Sequence, residues 1–140
     1  LGLVVVVHAG VDIGLPSVTH CTPDMVCEVL DEVQPERLVL AHMGGWGQWN
    51  EVSSILEEDY MKNVYLDTSS CIKKLNRNAN LPIEKFKKMV NIHGADHILF
   101  GSDSPWDDQK DAVDLIKECG FSEKATDAIL GKNAVTLLNL

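Results

Sequence analysis

The stretch ILFGSDSPWD, residues 98–107, decides how this chain is expected to fold. Its first three residues are large and apolar, which predicts a buried strand that runs into Gly101 and then Asp103. Pro105 cannot donate a hydrogen bond to a sheet, so the strand ends before it. Asp103 is therefore expected at the carboxyl end of a buried strand. An aspartate there either caps a helix or holds a turn, or it binds a metal or moves a proton.

Three other apolar runs each end on a polar residue that can bind a metal or accept a proton. They are residues 3–7 before His8, residues 37–41 before His42, and residues 64–66 before Asp67. The first run consists of valine and leucine, the pattern of a strand buried on both faces. Four strands are thus predicted to deliver a histidine or an aspartate at their carboxyl ends.

Helical patterns separate these strands. The first helix is predicted over residues 23–33, with Thr22 as its N-cap, Pro23 at its first position and an apolar stripe. That stripe comprises Met25, Val26, Val29, Leu30 and Val33. Further helices are predicted over residues 48–58, 82–94, 108–119 and 123–130, with a break at residues 131–133, and loops over residues 11–21 and 71–80.

Strands that alternate with helices predict a parallel sheet, because each helical crossover returns the chain to the same end. All the carboxyl ends then lie on one face of an α/β fold. That face receives His8, His42, Asp67 and Asp103, which is the layout of an active site in a TIM barrel. An open nucleotide-binding sheet is disfavoured, because no GxGxxG sequence follows the first strand.

Composition restricts the possible functions. The net charge of -9 offers no basic stripe for a nucleic acid. No apolar run is long enough to span a membrane, and no basic flank suggests a signal peptide. The four cysteines follow no zinc-ribbon spacing and are interpreted as free thiols in a reducing cytoplasm. Since the chain starts at Leu1 and enters a strand almost at once, we expect a fragment or a processed piece.

His8, His42 and Asp103 are the residue types that bind a divalent metal of borderline softness, and they leave a position open for water. A metal of this kind lowers the pKa of its bound water to about 7 and polarises a substrate carbonyl. A carboxylate beside the water can accept its proton and return it later. One histidine at a strand end is more often structural, so the hypothesis depends on the three residues occurring together.

These residues belong to motifs that resemble the amidohydrolase-2 family, in the family's order and over nearly all of the chain. The motifs are HAG at residues 8–10, AHMGG at 41–45, YLDTS at 65–69, LFGSDSPW at 99–106 and GKNA at 131–134. The family belongs to the amidohydrolase superfamily of metal-dependent hydrolases and also contains metal-dependent decarboxylases. The resemblance is to its second half. It implies that residues 1–140 are one domain, the C-terminal half of a TIM (β/α)8 barrel, with about four βα units as strands five to eight.

The resemblance also implies roles for single residues. His8 corresponds to a metal ligand, and His42 to a catalytic histidine that binds a second metal or contacts substrate. Asp103 corresponds to the aspartate that binds the metal and acts as general base. Trp106, Asp67 and Ser69 correspond to positions that line the substrate pocket or hold its loop. The residues themselves add His20, which lies in a loop expected on the active face, as a candidate for contact with substrate or metal.

One feature of the family is absent. The family opens with a His-x-His pair on its first strand, and none of the five histidines here forms such a pair. Four βα units also cannot close a barrel that needs eight units and about 250 residues. We therefore expect association with a missing N-terminal half-barrel or with a second copy of this chain.

The resemblance predicts a metal-dependent hydrolase, with zinc as the expected metal, in which activated water attacks an amide- or ester-type bond of a small molecule. The isolated fragment is expected to be inactive. Decarboxylation by the same site is the first alternative. An inactive half-barrel with a structural or metal-binding role is an alternative of another class.

Overall fold

Four parallel strands form the centre of the computed structural model, which describes residues 2–12, 14–15, 17–72 and 81–140. The strands in chain order are β1 (Val5–Val7), β2 (Gly10–Val11), β3 (Thr19–Cys21), β4 (Leu38–Leu40), β5 (Val64–Asp67) and β6 (Ile98–Leu99). The order in the main sheet is β1-β4-β5-β6, and all three pairings are parallel. The predicted α/β class with a parallel four-stranded sheet is confirmed.

The helices connect these strands as the sequence pattern predicts. They are α1 (Pro23–Glu32), α2 (Trp49–Ile55), α3 (Ile83–His93), α4 (Gln109–Glu118), α5 (Glu123–Asp127) and α6 (Asn133–Leu138). Thr22 caps α1 by accepting a hydrogen bond from the Met25 amide, and Asp108 caps α4 in the same way through the Asp111 amide. Short 3-10 turns lie at His42–Gly44, Asp59–Met61 and Ala95–His97. Within the described part of the chain, every helix is too short or too polar to cross a membrane.

The segment predicted as a loop over residues 11–21 contains a second, two-stranded sheet. β2 and β3 pair antiparallel, with Gly10 opposite Cys21 and Val11 opposite Thr19. The prediction missed these strands because two or three residues are too few for apolar alternation to appear. Most of the second predicted loop, residues 73–80, lies outside the described residues.

The helical break predicted at residues 131–133 is wrong. Residues Ala128–Lys132 form a π-helical turn that joins α5 to α6 without interruption. Asn133 follows this turn with its side chain buried, and its Nδ2 donates to the carbonyl oxygens of Ala95 and Ile98, both at 2.7 Å. This amide ties the C-terminal helices to the start of β6, because a buried donor needs such acceptors.

The core lies between the sheet and the helices, and its largest fully buried side chains include Phe86, Leu30, Met43, Leu66 and Ile98. The sequence predicted burial on both faces of the first strand, which is wrong. Val5 and Val6 remain 49% and 63% exposed, because β1 is an edge strand of the main sheet.

The predicted apolar stripe of α1 is only partly buried. Val26 and Leu30 are in the core, whereas Met25, Val29 and Val33 are exposed. A helix on the surface of a domain buries about a third of its circumference, and the stripe predicted here is wider than the surface that covers it. The uncovered part of α1 and the β1 edge are therefore both apolar surface.

His93, the last residue of α3, connects this helix to the amino end of β5. Its Nε2 lies 2.8 Å from the carbonyl oxygen of Val64 and donates to it, since a carbonyl can only accept. Burial lowers the pKa of His93 below its usual value, and the nearby imidazole of His97 adds to the effect. The carbonyls of Val64 and Leu56 and the carboxylate of Asp96 oppose the shift in part.

The lowered pKa of His93 makes the fold sensitive to mild acid. Above pH about 6.5 His93 is neutral in the folded and unfolded states. As the pH is lowered below that value, His93 takes up a proton in the unfolded chain before it does so in the folded protein. The free energy of unfolding should therefore decrease as the pH is lowered, until the pKa of His93 in the folded protein is reached. His93→Gln keeps a donor for Val64 and should remove this part of the pH dependence. Urea denaturation between pH 5 and pH 8 checks the prediction, which fails if both proteins show the same slope.

Candidate functional site

His42 sits in a strained turn directly after β4. His42 and Met43 both have left-handed backbone angles, with φ of 58° and 54°. Such angles are costly for residues other than glycine and persist where the surroundings hold them. Gly44 and Gly45 allow the turn to pack on α2, because a Cβ on Gly45 would lie 2.9 Å from a methyl group of Val52.

Asp67 at the end of β5 holds this turn. Its Oδ1 accepts hydrogen bonds from the amide of His42 at 3.0 Å, from the amide of Ser69 at 2.9 Å and from the Ser69 hydroxyl. On the other side of the turn, the indole Nε1 of Trp49 donates to the His42 carbonyl at 2.9 Å. The backbone of His42 is therefore held on both sides.

The His42 imidazole lies between Ser69 and His8. Its Nδ1 is 2.8 Å from the Ser69 carbonyl oxygen and 3.0 Å from Ser69 Oγ, and its Nε2 is 3.0 Å from Nδ1 of His8. The two imidazole rings meet edge to face, with centroids 4.7 Å apart. His42 is only 7% exposed, whereas His8 is exposed. One ring of the pair is therefore buried in the protein and the other reaches solvent.

Gly10 lets the loop after β1 reach the loop after β4. The Trp46 amide donates to the Ala9 carbonyl at 2.8 Å, and the Val11 amide donates to the Trp46 carbonyl at 2.9 Å. Gly10 lies between these two bonds with φ of 91°. A Cβ there would lie 2.2 Å from the Trp46 amide nitrogen, so only glycine fits.

Thr68 connects the end of β5 to the segment after β6. Its amide donates to the Leu99 carbonyl at 3.0 Å, which extends the ladder by one residue. Its Oγ1 accepts from the Gly101 amide and donates to the Gly101 carbonyl, both at 3.0 Å. The sequence analysis assigned no role to Thr68 or to Trp49. Thr68 lies inside the YLDTS motif, which is the signal that would have found it.

Asp103 and Trp106 lie in an exposed turn after β6. Asp103 has a left-handed φ of 57°, its carbonyl accepts from the Trp106 amide at 2.9 Å, and the Ser104-Pro105 peptide bond is cis. Trp106 is 81% exposed. The Asp103 side chain is also exposed. Both side chains therefore project from the carboxyl end of the sheet.

The structure brings together some of the residues that the sequence nominated. His8, His42, Asp67 and Ser69 form one connected polar cluster. His20 lies on β3 and is exposed. In the residues that the structure describes, no three His, Cys, Asp or Glu side chains are grouped so that they could hold a metal ion. Asp103 thus does not join the two histidines in one ligand set, and its role stays a prediction.

A cavity of about 390 Å³ lies elsewhere, near the amino end of β6. Lys87, Val90, Gly94, Phe121 and Ser122 are among its lining residues. None of the nominated site residues lines it. We therefore place the candidate site at the histidine pair, where the strand ends converge, and not at this cavity.

The chain is similar to known proteins in its sequence family and in its fold. The family model described as Amidohydrolase matches residues 1–140. No curated protein matches the sequence. An amidohydrolase from Burkholderia multivorans with bound zinc is 16% identical and has a TM-score of 0.69, over 84% of this chain and 49% of that one.

Two decarboxylase structures also match. The 5-carboxyvanillate decarboxylase from Sphingomonas paucimobilis is 14% identical, with a TM-score of 0.68 over 99% of this chain and 50% of that one. A dihydroxybenzoic acid decarboxylase from a Polaromonas species, with bound manganese and 2-nitroresorcinol, is 23% identical, with a TM-score of 0.52 over 74% and 33%. At these identities the likeness is one of fold. The chain spans about half of these structures or less.

Gly10→Ala should separate the two histidine loops. Gly120 provides a matched control, because it also has a positive φ of 74° but no atom within 4 Å of an added Cβ. Gly120→Ala should cost about 1 kcal/mol from backbone strain alone. Gly10→Ala adds a backbone clash and should cost about 2–4 kcal/mol. Urea denaturation of both variants checks this, and equal losses would contradict the assignment of a close approach at Gly10.

Proposed function

The chain belongs to the amidohydrolase family, and on that premise we propose that it supplies half of the active site of a metal-dependent hydrolase. The observation that carries the proposal is the contact between Nδ1 of His8 and Nε2 of His42, 3.0 Å apart at the carboxyl ends of neighbouring parallel strands. Active sites of barrels built from βα units lie at this face. The substrate is a small molecule with an amide- or ester-type bond.

The histidine pair fits a divalent metal by its chemistry. Imidazole nitrogens are ligands for metals of borderline softness. The other ring nitrogen of His42 contacts the Ser69 carbonyl, and metal-binding histidines usually make such a contact. When bound, the metal makes water a nucleophile at neutral pH and polarises the substrate carbonyl. The relatives with zinc and with manganese support a divalent metal, and we propose zinc.

We assign Asp103 as a further ligand and as the general base. Its exposed carboxylate is accessible to water and to substrate at the carboxyl end of β6. In the proposed reaction Asp103 accepts a proton from the attacking water. The water oxygen bonds to the carbonyl carbon, the C–N or C–O bond breaks, and the leaving group takes the proton from Asp103. The substrate pocket is proposed to be lined, or its loops held, by Trp106, His20, Asp67 and Ser69. We propose that His42 contacts the reacting atoms.

We propose that residues 1–140 form the C-terminal half of a (β/α)8 barrel. The strands of their four βα units would be strands five to eight of that barrel. β1 and β6 are the outer strands of the sheet, and Val5 and Val6 expose apolar surface beside β1. A barrel has no such edges. The other half would come from an N-terminal half-barrel or a second copy of this chain.

We propose a cytoplasmic protein, which agrees with its four free thiols. We also propose that it has no nucleic-acid partner, which agrees with the net charge of -9.

Metal binding should depend on the histidine pair. The protein expressed from its complete reading frame, after incubation with zinc or manganese and dialysis, is expected to retain the metal. His8→Ala and His42→Ala should each lower the metal content at least tenfold, an effect of the size seen when ligand support is lost. His97→Gln is the control, because His97 lies at the opposite end of the sheet, against Tyr65. Elemental analysis measures all four proteins. If none binds metal, the alternative of a structural half-barrel gains support.

The reaction type needs a separate test, because the structural relatives include decarboxylases. Decarboxylation breaks the C–C bond between the ring and its carboxylate, releases carbon dioxide and delivers a proton to the ring carbon. The protein is tested on a panel of small amides, esters and hydroxylated benzoates, and the release of amine, alcohol or carbon dioxide is measured. We expect hydrolysis, with release of amine or alcohol. Asp103→Asn should lower kcat about 10²–10⁴-fold. Asp108→Asn is the control, because asparagine caps α4 as well as aspartate does. Carbon dioxide release alone would favour the alternative.

A further inference from the structure

We propose that Asp67 and Ser69 are positioning residues that hold the neutral His42 imidazole in its Nδ1–H form, so that the lone pair of Nε2 faces His8. This inference deepens the proposed function and rests on it for its purpose. It gives Asp67 and Ser69 a role other than contact with substrate.

The first step concerns the hydroxyl of Ser69. A carboxylate oxygen only accepts hydrogen bonds, and Oδ1 of Asp67 faces the Ser69 hydroxyl and two backbone amides. The Ser69 hydroxyl must therefore donate its hydrogen to Asp67. Its lone pairs are then the only groups that it can turn toward Nδ1 of His42, at 3.0 Å.

The second step concerns the Ser69 carbonyl, which lies 2.8 Å from the same ring nitrogen. A carbonyl oxygen has no hydrogen, so His42 Nδ1 must supply it. Both neighbours of Nδ1 are thus acceptors. The opposite arrangement, with a bare Nδ1, would set a lone pair against the carbonyl oxygen and leave a buried acceptor without a donor, which is unfavourable.

The third step concerns Nε2. A neutral imidazole carries one hydrogen, so a hydrogen on Nδ1 leaves Nε2 with its lone pair. Nε2 lies 3.0 Å from Nδ1 of His8, which then donates to it. The hydrogen bonds run in one direction, from His8 to His42, from His42 to Ser69 and from Ser69 to Asp67.

This direction matters for a metal ligand. A histidine binds a metal through a lone pair, and the hydrogen bond at its other nitrogen determines which nitrogen has it. Because Ser69 and Asp67 hold the hydrogen on Nδ1, Nε2 of His42 is ready to bind without releasing a proton. The buried position of His42 and Ser69, 7% and 8% exposed, keeps water from competing for these bonds.

Long-range ¹H–¹⁵N spectra of the chelator-treated, ¹⁵N-labelled protein, at a pH where the imidazoles are neutral, test the inference. His42 should show a protonated Nδ1 and a bare Nε2. Asp67→Ala releases the amide and hydroxyl of Ser69, so the Ser69 carbonyl should no longer be fixed against Nδ1. The variant should yield a mixture of both tautomers and bind zinc or manganese about 10–100-fold more weakly. Asp67→Asn keeps an oxygen acceptor and should preserve the tautomer. Asp59→Ala removes an exposed carboxylate that pairs with Lys62 and is the control for charge.

The outcomes separate this inference from the proposed function. A His42 that carries its hydrogen on Nε2, or an Asp67→Ala variant with an unchanged tautomer and unchanged metal affinity, overturns the inference whether or not metal binds. A wild-type protein with the expected tautomer that binds neither metal supports the positioning role and overturns the proposed function. If Asp67→Ala fails to fold, the wild-type spectrum still decides, because a hydrogen on Nδ1 of His42 supports the inference and a hydrogen on Nε2 overturns it.

Discussion

One carboxylate oxygen, Oδ1 of Asp67, connects the ends of β4 and β5 and determines where the central histidine lies. It accepts from the amide of His42, which follows β4, and from the amide of Ser69, two residues after the end of β5. Together with the bond from the Trp49 indole to the His42 carbonyl, these bonds hold the left-handed angles at His42 and Met43. The same oxygen accepts from the Ser69 hydroxyl, and the hydroxyl and carbonyl oxygens of Ser69 contact the imidazole. One carboxylate therefore supports both the backbone of this loop and the orientation of the ring.

Glycines near the histidines also position the loops of the site, because they lack a side chain that would keep neighbouring segments apart. Gly10 allows the loop after β1 to lie directly on the backbone at Trp46, and Gly44 and Gly45 allow the His42 turn to lie on α2. Gly101 lies against Ser69, where an added Cβ would come within 3.0 Å of the serine Cβ. These four glycines therefore allow close approach between the segments that carry the site and their neighbours.

The parallel order of the strands made much of this site predictable from sequence. Apolar runs that end on His8, His42 and Asp67 must deliver those residues to one face once the connections are helical, and the structure places them in contact. Other features were not accessible. A run such as residues 3–7 has the same composition whether its strand is covered on both faces or lies at an edge, so the exposure of Val5 and Val6 was missed. The π-helical turn at Ala128–Lys132 is followed by Asn133, whose side chain donates to two carbonyls that are distant in the sequence. The local sequence indicates neither feature.

The separation of Asp103 from the histidine pair follows from the strand order. β1 and β4 are neighbours, and strands in a sheet lie about 4.8 Å apart, so side chains that follow them touch. β6 is three positions from β1, which is about 14 Å along a flat sheet. Only curvature brings the carboxyl ends of such strands toward a common centre, and closing a barrel imposes that curvature. Asp103 therefore joins His8 and His42 in one site only where the sheet curves, as it does in the barrel that we propose.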